Sequence, residues 1–263
     1  MITEEDKSYI VQQLDKLLNG RPAFYLKFCA EELFAKNVCN GDFYANTPTY
    51  FRQREIEVGE RGQGDQYELI LPFRAENITM YNAETGNLIA NIKETDIKIQ
   101  FKDDDAIPMV SFVGIPLKDM ILLDVSENGA VFRLPFTEEE YREMSKKFGP
   151  YCVVISGREL ENRIAECCNE GSVEYIFDAV EYCDENYLDR MRAFGGCEST
   201  RFLYKNSDLK YQREYRLVLA LEMPDDHFIK FGRMGSAQIL DSKVLKDLAF
   251  EIKFHVEDGE KFE

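Results

Sequence analysis

Tryptophan is absent from the 263-residue chain, and histidine occurs only at His227 and His255. That scarcity excludes a metal centre built on several imidazoles, and H-E-x-x-H does not occur. A Ser-His-Asp or Cys-His nucleophile could draw on only one of those two rings. Also missing are a Walker A loop, a dinucleotide-binding glycine fingerprint and any C-x-x-C pair. No apolar run approaches the ~18 residues of a membrane span. The seven cysteines are odd in number and irregular in spacing, which suits reduced thiols rather than a disulfide framework. Basic residues are outnumbered, 32 Lys and Arg against 49 Asp and Glu, for a net charge of −17. Such a balance repels phosphate backbones and anionic membranes, so neither non-specific nucleic-acid binding nor membrane binding is expected. The acidic, amphipathic opening "MITEEDKSYIVQQLDKLL" lacks the features of a secretory leader, and a cytoplasmic location is the expectation.

What remains is an ordered composition, 44% apolar and 31% charged, in a chain long enough to build a core without disulfides or a metal. Thr3 followed by acids predicts a helix start, and Ile10, Val11, Leu14 and Leu17 recur at helical spacing. Thr47-Pro48 predicts the cap of a short helix carrying Tyr50 and Phe51. Thr137 with Glu140 forms a capping box for a helix ended by Gly149-Pro150. From Tyr67 to Phe136 the pattern is all β, in short runs such as "YELILPF", "ITMYNA", "NLIANI" and "DIKIQFK" that suggest an antiparallel meander or half-sandwich. "VEYIFDAVEY" reads as one strand, and residues 209–222 as another. The expected fold is a single α+β domain over 1–263: mainly antiparallel sheet, an N-terminal helix, and several short helices packed on one side. Residues 67–136 could form a β-rich subdomain.

Few local patterns carry chemistry. "GERGQGD" is glycine-rich but precedes a strand and carries acids, a poor phosphate cradle. Asp103–Asp105 reads as a solvated turn before it reads as a hard-cation site, and no metal is expected. Cys197, after two glycines, is the most accessible thiol, without neighbours that mark it as reactive.

The stretch "YQREYRLVLALE" (211–222) stands out. In an extended chain Gln212, Glu214 and Arg216 project from one face, while Tyr211, Tyr215, Leu217, Leu219 and Leu221 make a core face. The polar row is either a solvent-facing ladder or a site. The Q-x-E resembles an element of ADP-ribosyltransferases, enzymes that split NAD at the nicotinamide bond and pass ADP-ribose to a protein, nucleic acid or water. The chain also resembles a poorly characterised group of bacterial proteins, some linked to abortive infection and phage defence. That likeness rests on "GDFYANTPTYFRQRE" and "GDQYE" early and Gln212-x-Glu214-x-Arg216 late.

The resemblance implies a mixed α+β fold around a cleft with NAD as substrate. Glu214 would be the catalytic glutamate that stabilises an oxocarbenium ion, and Gln212 would orient the acceptor, an unidentified protein or nucleic acid. Arg54 or Arg61 would face NAD, and spacing does not choose between them. Arg216 joins that cofactor set, and Tyr44, Tyr50 or Phe51 would stack on nicotinamide or adenine. A Ser/Thr-rich strand supports the glutamate in that family, and the nearest such pair here is Ser199-Thr200. The implied role is a toxin or phage-defence effector. The competing expectation is a non-catalytic acidic interaction protein, either an accessory subunit or a nucleic-acid mimic. An arginine-lined cleft beside Glu214 separates the first from the second.

Overall fold

The computed structural model describes residues 4–59, 61–126, 129–184 and 188–253. The Thr3 cap, the middle of the hairpin loop that "SENGA" (126–130) predicts, the start of the helix that "ENYLDRMRAF" (185–194) predicts and the end of the strand that "EIKFHVE" (251–257) predicts lie outside them. Helix α1 (Glu4–Leu17) leads through β1 (Pro22–Cys29), α2 (Glu32–Cys39) and β2 (Asp42–Tyr44) to α3 (Pro48–Val58). Then come β3 (Leu71–Tyr81), β4 (Leu88–Ile99), β5 (Met109–Pro116), β6 (Ile121–Ser126) and β7 (Gly129–Arg133). Helix α4 (Glu138–Phe148), β8 (Tyr151–Ser156), α5 (Gly157–Gly171), β9 (Tyr175–Ala179) and β10 (Glu181–Cys183) follow. The last elements are α6 (Leu188–Gly195), β11 (Tyr204–Asn206), β12 (Glu214–Leu219), β13 (Phe228–Lys230), β14 (Gln238–Asp241) and β15 (Ala249–Lys253). No helix among the described residues is long and apolar enough to cross a membrane.

The expected α+β class with antiparallel sheets holds. A six-stranded sheet runs in the order β14-β8-β1-β5-β12-β9, every neighbour antiparallel. Its central strands are largely buried on both sides, and helices line both faces rather than one. Tyr25, Phe112, Tyr215 and Leu217 pack under Ala35 and Val38 of α2 and Leu160 and Ile164 of α5. On the other face Leu26, Val113 and Val154 meet Tyr141 and Met144 of α4 and Phe132 of the small sheet β15-β7-β6. The predicted caps are present: the Thr47 hydroxyl accepts from the Tyr50 amide, and Thr137 and Glu140 form the capping box.

Several β expectations need correction. Residues 67–136 form no meander, because their strands go to three sheets: β3-β4, β5 in the large sheet, and β6-β7 with β15. The four short runs before residue 100 merge into the two long strands of a β3-β4 ribbon, since neither "RAEN" nor "KET" contains a breaker. "VEYIFDAVEY" divides at Val180 into β9 and β10, which join different sheets. Strand 209–222 is also shorter than expected. Ser207–Gln212 is a 3-10 turn, and Arg213 adopts a left-handed conformation (φ 45°) before β12 begins. That kink sends Tyr211 to the opposite core from Tyr215, so the two do not share a face.

One irregularity positions the site. β1 and β5 pair only between Pro22↔Pro116 and Leu26↔Val113. Beyond that point Lys27–Cys29 stays with β8, while Met109–Phe112 stays with β12. The sheet is therefore forked, and the fork opens a cavity. Leu217, fully buried behind it, ties β12 to the aromatic core. Leu217→Ala is expected to cost about 2–5 kcal/mol in urea unfolding, the range for a buried leucine that leaves a cavity.

Candidate functional site

β12 presents Glu214 and Arg216 on one face, opposite Val113 and Ser111 of β5. Both side chains are buried, at 4% and 1% exposure, so the row is no solvent-facing ladder. Arg216 Nε donates to Glu214 Oε1 at 2.9 Å, and its two terminal nitrogens bracket the Glu68 carboxylate at 2.7 and 3.2 Å. Lys205, from β11, donates to Glu214 Oε2 at 2.6 Å, and Ser111 Oγ donates to Glu214 Oε1 at 2.6 Å. Two cations and two carboxylates thus form one closed cluster. The Glu214 amide donates to the Tyr182 hydroxyl at 2.9 Å, which fixes where the strand begins.

The pKa shifts follow from this arrangement. Burial alone would raise the Glu214 carboxyl, but Arg216 and Lys205 outweigh it and hold the group well below the usual carboxylate range. Burial raises Glu68, and Arg216 and Lys205 pull it back only in part. Desolvation disfavours the Arg216 charge, yet Glu214 and Glu68 more than compensate and push its pKa further up.

Gln212, although off the strand, reaches the same cluster. Its Oε1 accepts from Lys205 at 3.2 Å, and its Nε2 donates to the Gly62 carbonyl at 2.9 Å. The early stretch "GDQYE" and the late Gln212-x-Glu214-x-Arg216 therefore meet: Glu68 pairs with Arg216, and the adjoining glycine loop holds Gln212. Glycine is required at Gly64, where a Cβ would stand 2.4 Å from the Phe51 carbonyl and the Glu55 amide nitrogen. Asp65 orders the same loop by accepting from the Tyr67 amide at 2.9 Å.

The cluster forms one wall of a cavity of about 670 Å³ in the sheet fork. Gln212, Glu214, Arg216, Arg54, Tyr44, Tyr50 and Phe51 all line it. Arg61 does not; it lies 3.0 Å from Asp208 on the outside. Of the two, Arg54 is thus the arginine that faces the cavity, held among the described residues by the Gln63 side-chain oxygen at 3.1 Å. Arg216, by contrast, has four of its N–H groups engaged by Glu214, Glu68 and the Phe202 carbonyl. It positions Glu214 rather than presenting a free fork. Tyr44 and Tyr50 stand half-exposed at the rim.

Sequence reasoning missed several groups. Ser111 supports Glu214, whereas Ser199 and Thr200 sit in a separate 3-10 turn. Nothing in the sequence marks Lys205. Lys27 carried a signal, as the one charged residue in the strand "PAFYLKFC". Asn46 Oδ1 is buried at the wall without a partner among the described residues. Two of the three residues in Asp103–Asp105 are engaged by arginine: Asp104 binds Arg201 through both oxygens, and Asp105 pairs with Arg52. Among the described residues no group of three or more His, Cys, Asp and Glu side chains could hold a metal.

No protein-family model matches the chain, and no curated protein or solved structure is significantly similar to it.

Two expectations follow from the cluster. Arg216→Met strands Glu68 and Glu214 around one remaining cation, and should cost about 3–5 kcal/mol in denaturant unfolding; adding Glu68→Gln should restore part of it. Because the folded Glu214 pKa is depressed, its contribution is full above the unfolded value of about 4.3 and is lost as pH falls below it. The acid limb of a stability–pH curve should accordingly flatten in Glu214→Gln.

Proposed function

We propose that the protein is an ADP-ribosyltransferase-like enzyme that takes NAD as substrate in the forked-sheet cavity. The observation that carries this reading is the meeting of the two resembling segments through Glu68 and Arg216 on one cavity wall, with Gln212 held beside them by the adjoining Gly62 carbonyl. Charge supports it as well. In a chain of net charge −17, five cations against four carboxylates line this cavity. Of these, Lys27 and Arg54 pair with no carboxylate among the described residues. Arg54 is suited to the pyrophosphate, Tyr44 and Tyr50 to stacking on the rings, and Asn46 Oδ1 to the carboxamide N–H of nicotinamide. About 670 Å³ falls within the usual range of ligand pockets.

Glu214 is anionic at neutral pH and accepts three hydrogen bonds, which leaves one acceptor position of a carboxylate free. As nicotinamide departs, positive charge grows on the ribose, and a fixed carboxylate lowers that barrier. Ser111 in this reading plays the part of the family's support strand. The acceptor is a protein or nucleic acid, and the biological role is that of a toxin or phage-defence effector acting on cytoplasmic NAD.

A non-catalytic acidic interaction protein, an accessory subunit or a nucleic-acid mimic, is the second reading. One observation favours it: both ends of the Gln212 amide are already engaged.

Nicotinamide release from NAD, measured beside a saturable NAD-induced thermal shift, separates the two. The enzyme reading expects both, with release lost in folded Glu214→Gln. Absence of both signals in the native chain would contradict it. Arg54→Gln should leave the ligand-free melting temperature unchanged and weaken NAD binding about tenfold or more, the loss of one charge-assisted hydrogen bond.

A further inference from the structure

Both ends of the Gln212 amide are engaged, and Glu214, held well below the usual carboxylate range by Arg216 and Lys205, is a poor proton acceptor, so the proton of an incoming acceptor must go elsewhere. Lys27 occupies the prong of the fork opposite them. Its Nζ donates to the Ser111 carbonyl at 2.6 Å, and the Ser111 hydroxyl donates to Glu214. One residue therefore holds the amine and the carboxylate on either side of the opening. The ammonium also lies 5.3 Å from the centre of the Phe112 ring, and it pairs with no carboxylate among the described residues.

Resting on the NAD reading, we propose that Lys27 is the general base of the transfer step, a catalytic residue that takes the proton from the acceptor's nucleophilic N–H or O–H. The acceptor atom forms its bond to the ribose C1 while the C1–nicotinamide bond breaks. That bond's electron pair neutralises the pyridinium, nicotinamide leaves uncharged, and the acceptor's proton ends on Lys27 Nζ. No further reactant is needed.

Burial pushes the Lys27 ammonium below the ordinary lysine range, against the opposing pull of Cys29 and Glu214. Around the same cavity the charged and titratable groups are Cys29 on its own strand, Asp42 and Tyr44 on β2, Tyr50 and Arg54 on α3, Asp65 and Glu68 in the loop after it, Lys147 on α4, Lys205 on β11, and Glu214 and Arg216 on β12. Lys205 Nζ is committed to Glu214 and Gln212. Lys147 is committed to the Tyr211 hydroxyl at 3.0 Å, and Arg54 is a guanidinium that does not deprotonate. Lys27 is the amine left to act.

Arginine at position 27 keeps a positive charge for anion binding but cannot accept a proton, so Lys27→Arg separates the two roles. The expected result is an NAD-induced thermal shift like that of the native chain, with turnover lower by about 10²-fold or more. The native rate should rise with pH as the amine deprotonates, and that dependence should vanish in the variant. Turnover of Lys27→Arg within about threefold of native, with the same pH profile, overturns the proposal and leaves the NAD reading intact. So does a ¹³C-dimethyl-lysine resonance, assigned by its loss in Lys27→Arg, that titrates at the ordinary value of about 10.4. A native chain with neither thermal shift nor nicotinamide release removes the NAD reading itself, and this inference with it.

Discussion

The Arg216 guanidinium, buried between two glutamates, is the interaction on which the rest of the site depends. Removing charges from water costs several kcal/mol per ion, and only close, well-oriented partners offset that. Glu214 and Glu68 supply those partners, and Lys205 and Ser111 complete the carboxylate's shell. Each partner comes from a different part of the chain: Glu68 from the loop after α3, Ser111 from β5, and Lys205 from β11. The cluster thus fixes the glycine loop, the sheet and β11 relative to one another. Gln212 extends it to Gly62, and Gln63 carries the loop on to Arg54 and the α4 carbonyl of Lys147. Cavity geometry and cluster integrity are in this sense one constraint.

A second constraint is the fork. Continuous pairing of β1 with β5 would close the sheet over the position that the cavity occupies. Past Leu26↔Val113 the strands part, and Lys27 bridges them through the Ser111 carbonyl. A lysine there lets a cation reach the cavity from an otherwise apolar strand. The chain's acidic excess makes such positions informative, since exposed cations could readily pair elsewhere. In the function proposed above, a dinucleotide carrying a pyrophosphate occupies this cavity, against its cationic side and aromatic rim.

Much of the framework was legible because it is local. Thr137 with Glu140, and Thr47 with Pro48, mark helix starts through side-chain caps that need no tertiary partner. Tyr215, Leu217 and Leu219 were legible as a core face from alternation alone. The left-handed Arg213 was not, because arginine has no preference for that conformation; long-range anchoring of Leu209 and Gln212 accompanies it. β14 was missed because four half-buried or exposed residues carry little pattern. At the site, one segment pointed to Glu214, Gln212 and Arg216 and another to Arg54, but neither indicated that Glu68 and Arg216 are partners. Lys205 lies in a short strand of mixed character, and only the fold shows that it faces Glu214. The choice between Arg54 and Arg61 likewise needed coordinates, because seven residues decide whether a guanidinium meets the cavity or Asp208.

In the proposed function the cavity takes a pyrophosphate-bridged dinucleotide through its cations. Calorimetric titration of the intact chain with ADP-ribose, and separately with adenosine, tests it most directly. The account predicts one ADP-ribose site whose affinity falls as salt rises, and no measurable binding of adenosine. Equal binding of the two ligands, or salt-independent binding of ADP-ribose, would contradict it.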